Sequence, residues 1–160
     1  MPSLDLDRLD RAILTTLQQN NLLPADRLAE KVGLSSSAVQ RRIKRLRAAG
    51  VITADVSILD PKALGPSALF IVDVTMERES TALFEAFRRR MLAAPEVQQC
   101  YYVTGDSDFI VVIAATDLQE YEEIVGRLLF DDSNLKRFRT SVVLNRVKAS
   151  LTVPLTGRDS

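Results

Sequence analysis

The sequence lacks histidine altogether and contains a single cysteine, Cys100. These absences exclude zinc sites of the usual ligand types, and they exclude the Ser-His and Cys-His pairs of nucleophilic catalysis. One cysteine cannot form an intramolecular disulfide, which fits a reducing cytoplasm. We therefore predict a protein that binds rather than catalyses, with no metal ion and no cofactor.

Long apolar runs are also absent from the sequence. No stretch approaches the roughly 18 residues of a membrane span. The N-terminal sequence MPSLDLDRLD has no signal-peptide character. We therefore expect a cytoplasmic protein with no membrane partner.

Net charge is absent overall but not locally. The 160 residues hold 21 Lys or Arg against 21 Asp or Glu. Residues 1–50 hold nine basic and five acidic residues, a net charge of +4, and residues 51–160 hold twelve and sixteen, a net charge of −4. A basic first third and an acidic remainder indicate two units with different partners.

The first third has the spacing of three short helices. The first helix follows from apolar residues at helical intervals, namely Leu6, Leu9, Ile13, Leu14 and Leu17. Pro24 suits the first turn of a second helix, which Gly33 ends. The serines Ser35 to Ser37 offer N-cap side chains for a third helix, AVQRRIKRLRAAG, which ends at Gly50. The next stretch, VITADVSIL, alternates as a strand does.

The third helix is the strongest functional signal in the sequence, because it carries five positive charges and no acid. Its apolar stripe is narrow and consists of Val39, Ile43 and Leu46. In a helix-turn-helix motif, the first half of the second helix enters the major groove, and the polar face opposite this stripe would meet the base edges there. The predicted base-contacting and flanking residues are Ser36, Ser37, Gln40, Arg41 and Lys44. The predicted phosphate contacts are Arg42, Arg45 and Arg47. The alternative is a helix face that is merely solvated.

From Ser67 the pattern changes to strands and helices in the order βαββαβ, a ferredoxin-like arrangement. The strands are LFIVDVTM, QQCYYV, FIVVIAA and FRTSVVLNRVKA, and the helices are STALFEAFRRRMLAA and DLQEYEEIVGRLL. In this topology the first and third strands are central. The last residues, TGRDS, are expected to form a loose tail.

The turn TGDSDF, Thr104 to Phe109, joins the two middle strands of this pattern. Its two carboxylates are too few for a metal site, and a surface turn does little to separate the pKa values of an acid/base pair. Two interpretations stay open on the residues alone. The turn is either a plain hairpin connection or the rim of a pocket.

Four stretches of the sequence resemble the leucine-responsive/asparagine-regulator (Lrp/AsnC) family of transcription factors. They are LDRLDRAIL, LAEKVGLSSSAVQRRIKRLRAAGVI, VTGDSDF and TSVVLNRVK. The resemblance implies an α+β fold, with an N-terminal winged helix-turn-helix followed by a ferredoxin-like βαββαβ ligand-sensing domain. It implies that 35–49 is the recognition helix and that VITADVSIL links the domains. The expected boundaries are 1–52 for the DNA-binding domain, 53–66 for the linking strand and connector, 67–150 for the sensing domain and 151–160 for the tail.

The same resemblance implies that double-stranded DNA is a partner and that the protein is a homo-oligomer, a dimer that often assembles into an octamer. It implies a small effector, usually an amino acid, in a cleft lined by the turn. Glycine allows close backbone approach, and a carboxylate can accept an α-ammonium. The implied effector-binding residues are Tyr102, Val103, Thr104, Gly105, Asp106, Asp108, Thr140 and Ser141. The sequence identifies no Arg or Lys for the carboxylate of such a ligand.

The sequence and the resemblance therefore predict a sequence-specific DNA-binding transcriptional regulator that responds to a small effector, expected to be an amino acid. Two other classes compete with this prediction. An architectural protein would share the basic helix, and its turn TGDSDF would be only a turn. A small ferredoxin-like enzyme with an accessory helical domain is disfavoured by the missing histidine and by the lack of a nucleophile–base pair.

Overall fold

The computed structural model describes residues 5–65, 67–130 and 132–155. The chain divides into two compact units. One unit contains the residues up to 58 together with those from 149 onward, and the other contains residues 59–148. The first unit is therefore built from two separate pieces of the chain.

The first unit contains the three predicted helices, and local capping explains where they begin and end. They are α1 (Arg8–Gln19), α2 (Ala25–Val32) and α3 (Ser36–Ala48). The Asp7 carboxylate accepts the backbone N–H of Asp10 at 2.8 Å and begins α1. Gly33, with φ of +70°, ends α2 in the left-handed region that glycine adopts readily. The Ser35 hydroxyl caps α3 by accepting the N–H of Ala38 at 3.3 Å.

The core of this unit lies between the three helices. Its buried side chains are Ile13, Leu14, Leu28, Ala29, Val39 and Leu46. Ile43 is partly buried beside them, so the predicted inward stripe of α3 is confirmed. Leu155, from the distant end of the chain, packs against the same core.

The strand predicted for 51–59 is wrong. Residues 53–60 have no regular secondary structure and pair with no strand of the described sheet, and all of them are exposed. The alternating pattern mimics a half-buried strand, yet no described segment of this chain lies alongside it to complete a ladder of hydrogen bonds. Exposed apolar side chains therefore remain in this stretch, at Val56, Ile58 and Leu59.

The second unit has the predicted βαββαβ order and a single antiparallel sheet. Its elements are β1 (Ala68–Met76), α4 (Thr81–Ala93), β2 (Val97–Tyr102), β3 (Phe109–Ala115), α5 (Leu118–Val125), a stretch of π-helix (Gly126–Phe130) and β4 (Leu135–Val142). The strand order is β2-β3-β1-β4. The central positions of β1 and β3 are as predicted, and the fold is ferredoxin-like.

The two faces of this sheet differ. One face is covered by α4 and α5, and its core includes Phe70, Val72, Phe109 and Val111. The other face is open within the described chain and carries both apolar and polar side chains. Ile71 is 37% exposed and Tyr101 is 51% exposed there. We call this second surface the open face.

Two polar side chains lie inside the second unit. Asn134 is buried, and its amide both accepts the N–H of Arg78 and donates to the carbonyl of Arg78, each at 3.1 Å. The Tyr121 ring stacks on Phe70 with centroids 4.0 Å apart, and its hydroxyl hydrogen-bonds Thr140. The first pair of bonds joins the loop after β1 to the loop before β4, and the Tyr121 contacts join α5 to β1 and β4.

The predicted tail, 151–160, is described only to Leu155. Within that part, Val153 donates its backbone N–H to the Gln18 side chain at 2.7 Å and accepts from it through its carbonyl at 3.1 Å. Residues 156–160, which include the stretch TGRDS, lie outside the described residues.

Candidate DNA-binding face and effector pocket

One face of α3 carries four exposed polar side chains. Ser37, Gln40, Arg41 and Lys44 recur at intervals of three and four residues, so they share one side of the helix. Gln40, Arg41 and Lys44 make no side-chain hydrogen bond or ion pair within the described residues. These side chains are therefore available to an external partner.

Arg42 and Arg45 are held by α1 instead. Arg42 donates to Asp7 at 2.7 Å and to Asp10 at 2.8 Å, and Arg45 pairs with the other oxygen of Asp10. The Asp10 side chain is completely buried. We call these four residues the arginine clamp. It satisfies a buried carboxylate and fixes α3 against α1.

The clamp also shifts two pKa values. The backbone N–H of Asp10, and after it Arg42, lower the pKa of Asp7 below its ordinary 3.8 by favouring the carboxylate. Hydrogen bonds to Asp7 and Asp10 raise the pKa of Arg42. Both groups are therefore held in their charged forms.

The basic residues predicted to contact phosphates have partners within the unit. The sequence placed Arg42, Arg45 and Arg47 at phosphates, but all three guanidinium groups already contact carboxylates, since Arg47 pairs with Asp55 at 2.8 Å. The half-buried Ser36 donates its hydroxyl to Asp26 of α2. Ser36, Arg42 and Arg45 thus help to hold α3 in place, and their contacts with DNA stay a prediction.

The turn between β2 and β3 uses its two carboxylates differently. Asp108 donates its backbone N–H to Val74 at 2.9 Å, and its carboxylate accepts the N–H of Met76 at 2.7 Å. This second bond falls where the register of β1 shifts between Thr75 and Met76. Asp108 therefore stabilises the sheet. Asp106 is exposed and its carboxylate has no partner among the described residues.

Gly105 shapes the tip of this turn. Its φ is +118°, in a region that L side chains rarely adopt. An added Cβ would meet nothing within 4 Å, so the requirement for glycine comes from the backbone conformation and not from crowding. The structure thus gives a conformational reason for glycine here, and the close approach of a ligand to its backbone stays a prediction.

Two cavities flank the turn. The smaller, about 120 Å³, is lined by Asp73, Thr75, Asp106, Ser107, Arg137, Phe138 and Arg139. The larger, about 410 Å³, is lined by Glu79, Ser80, Thr81, Phe84, Glu85, Arg88, Tyr102 and Phe109. Each combines carboxylates with guanidinium groups. The smaller one contains Asp106.

The smaller cavity supplies the cations that the sequence did not identify. Arg139 contacts Asp73 at 3.2 Å, and Arg137 donates to the Thr75 hydroxyl at 3.5 Å. Both side chains are exposed. The signal was present in the sequence, because arginines two positions apart in a strand point to the same face.

The remaining predicted effector residues do not share one surface. Thr140 faces the helices and bonds Tyr121, whereas Ser141 is exposed and pairs in register with Ile71 on the open face. Tyr102 lines the larger cavity, with its ring 5.5 Å from that of Phe84. Val103 and Thr104 precede the turn; Val103 is half-buried and Thr104 is exposed.

Other candidate chemistry is sparse. Within the described ranges, no three acidic or cysteine side chains lie close enough together to hold a metal ion. Burial raises the pKa of the Cys100 thiol, which disfavours the reactive thiolate. None of the described helices combines the length and the apolarity that crossing a membrane requires.

Comparison with known proteins gives matches over nearly the whole chain. Residues 6–53 match a family model described as winged helix-turn-helix DNA-binding, and residues 69–153 match the Lrp/AsnC ligand binding domain. An HTH-type transcriptional regulator of Sinorhizobium fredii is 48% identical over 153 residues, 96% of this chain and 90% of the relative. The leucine-responsive regulatory protein of Escherichia coli is 34% identical over 149 residues, 93% of this chain and 91% of the relative.

A solved structure extends these similarities. The transcriptional regulator NMB0573 of Neisseria meningitidis, in complex with L-Met, superposes with a TM-score of 0.86 at 29% identity. The superposition covers 94% of this chain and 97% of that one.

Proposed function

Because this chain belongs to the Lrp/AsnC family of helix-turn-helix transcriptional regulators, we propose that it binds specific DNA sequences through the exposed face of α3. The observation that carries the proposal is the separation of the basic residues into two sets. Gln40, Arg41 and Lys44 are free, while Arg42 and Arg45 are engaged in the arginine clamp. Gln can form two hydrogen bonds with adenine, and Arg can form two with guanine.

Substitution of Arg41 tests the proposal. Arg41→Ala is expected to cost about 1–3 kcal/mol on the best site and to relax sequence preference there. Arg89→Ala, which removes the same charge from an exposed position in the other unit, serves as the control. Fluorescence anisotropy on matched and scrambled duplexes measures both quantities. Equal losses for the two variants would remove Arg41 from the base-contacting face.

The proposed effector is an amino acid bound at the smaller cavity beside the turn. Asp106 accepts the α-ammonium, and Arg137 or Arg139 contacts the α-carboxylate. The complex of the Neisseria relative with L-Met supports this ligand class. Because binding changes how copies of the chain assemble, it changes the spacing of the DNA-binding helices.

A thermal-shift screen of the twenty amino acids tests the effector site. A ligand that binds the folded state raises its melting temperature. Asp106→Asn should abolish the shift and leave the ligand-free melting temperature unchanged, since the carboxylate has no partner in the described chain. Asp108→Asn should lower the ligand-free melting temperature, because that carboxylate holds Met76.

The proposed regulator is a homo-oligomer, a dimer that assembles further into an octamer. Two regions with exposed apolar side chains support self-association, namely the open face around Ile71 and Tyr101 and the exposed residues 53–60, which include Val56 and Ile58. Sedimentation equilibrium of Ile71→Arg should give smaller species than the wild type. If amino acids changed neither the assembly nor the DNA footprint, an architectural role without an effector would replace the sensing role. The proposed location is the cytoplasm, where such a regulator meets its DNA.

A further inference from the structure

The DNA-binding unit contains a segment from the far end of the chain. Residues 149–155 belong to this unit although residues 59–148 form the other one. The Gln18 side-chain amide both donates to and accepts from the backbone of Val153, and Leu155 packs against the helical core. Such two-bond pairing fixes the position of the segment along α1. We call residues 149–155 the strap.

The helix that the strap contacts also positions α3. Gln18 lies in the last turn of α1, and Asp10 near its start holds Arg42 and Arg45 of α3. A change in the position or stability of α1 therefore reaches the arginine clamp, and through it the exposed face of α3.

The strap is also the direct continuation of β4. That strand carries Arg137 and Arg139 at the smaller cavity and ends at Val142, and residues 143–148 alone separate it from the strap. We propose that the strap is an intramolecular coupling element, which docks on α1 and links the last strand of the sensing sheet to the DNA-binding helices. The regulatory role of the strap rests on the DNA binding proposed above. Its docking on α1 is independent of that proposal.

Hydrogen exchange of the full-length protein tests the docking. Gln18→Ala, which removes two hydrogen bonds, should speed exchange of the α1 amides on the order of tenfold, and Leu155→Ala, which removes an apolar contact with the core, should also speed it. Gln19→Ala and Leu151→Ala are matched controls, because Gln19 is the helical neighbour of Gln18 and Leu151 is an exposed apolar residue of the strap. Unchanged α1 exchange in the Gln18 and Leu155 variants would overturn the proposal.

Measuring protection of the α1 amides at several protein concentrations shows whether the docked strap comes from the same chain or from a second copy. Docking within one chain is independent of concentration, so protection of α1 should survive dilution. Protection that falls on dilution would assign the strap to a second copy of the chain and would overturn the intramolecular form of the proposal.

Linkage provides the test of coupling. If the strap connects β4 to α1, duplex DNA should alter exchange of the amides of β4 in the wild type and in Gln19→Ala. Gln18→Ala should lose this response and bind the duplex severalfold more weakly, since fewer molecules hold α3 in the binding conformation. A response in β4 that persists in Gln18→Ala would overturn the coupling. If the wild-type protein bound no duplex, the proposed function would be refuted. The exchange rates of the α1 amides would still show whether the strap docks on α1.

Discussion

Replacing Asp10 with asparagine gives the sharpest test of the arginine clamp. Asp10 is completely buried and accepts from both Arg42 and Arg45, whose side chains are 24% and 47% exposed. Asp10→Asn keeps the size of the side chain but removes its charge. It replaces two hydrogen bonds to a charged carboxylate with, at most, one to a neutral amide oxygen, and it leaves Asp7 as the carboxylate partner of Arg42 alone.

The expected loss follows from the exposure of the two partners. A hydrogen bond to a charged group contributes about 1.5–3 kcal/mol. We assign about 2 kcal/mol to the bond with the more buried Arg42 and, after discounting for solvent screening, about 1 kcal/mol to the bond with Arg45. The neutral hydrogen bond that asparagine can still accept offsets up to about 1 kcal/mol of this loss. The free energy of unfolding of the DNA-binding unit should therefore fall by about 2–3 kcal/mol. For a unit of this size, that corresponds to a fall of roughly 10–20 °C in melting temperature.

Hydrogen exchange measures this loss separately in the two units, because amides of α1 and α3 report on one unit and amides of β1 and β3 on the other. Asp7→Asn is the matched control. Asp7 is half-exposed, and asparagine is an equally good N-cap residue, so its loss should stay below about 1 kcal/mol. A change smaller than about 0.5 kcal/mol for Asp10→Asn would refute the energetic role of the clamp. DNA binding should also become more salt-dependent, with a slope steeper by about 0.9 for each freed arginine that finds a phosphate.

Three further outcomes are expected. Folding lowers the pKa of Asp7, so the carboxylate's contribution to stability is present above about pH 4 and is lost as the pH falls through that lowered pKa. Hydrogen exchange of the α1 amides, followed as the pH is lowered, should show this loss of stability. The Asp7→Asn variant should lack this pH dependence. Asn134→Ala should cost the sensing unit about 1–2 kcal/mol in urea unfolding, because the buried Asn134 side chain makes two part-buried hydrogen bonds to the backbone of Arg78. Tyr121→Phe should lower the free energy of unfolding by about 1 kcal/mol, because it removes the hydrogen bond to Thr140. An unchanged free energy of unfolding would show that this bond does not stabilise the fold. Burial raises the pKa of the Tyr121 hydroxyl, so the stability of the wild-type sensing unit should decline as the pH rises above about 10, where the tyrosine of the unfolded chain loses its proton.

The spacing of apolar residues correctly predicted the helices and strands that bury one face. The helices of the first unit and the central positions of β1 and β3 follow from apolar spacing, because a side chain's direction repeats every 3.6 residues in a helix and every two in a strand. The same argument failed at 51–59. Alternation records which side chains point together, but it does not record whether another strand lies alongside, and here no described segment does.

The candidate sites show where local sequence stops being informative. Arg42 and Arg41 are neighbours of equal charge, and only the position of Asp10, far away in the sequence, separates a clamped arginine from a free one. Asp106 and Asp108 are likewise equivalent in sequence. The register shift in β1 leaves the N–H of Met76 beside one carboxylate and no described partner beside the other.

The two-piece construction of the DNA-binding unit has a consequence for how the protein is made. The three helices leave the ribosome first, and the strap follows only after residues 59–148 have been translated. At about 5–20 residues per second, this interval lasts on the order of 5–20 s. Throughout it, Gln18 is without its backbone partner at Val153, so the DNA-binding unit reaches its final contacts only after the sensing unit has been synthesised. Translation order therefore places completion of the DNA-binding half after synthesis of the half proposed to regulate it.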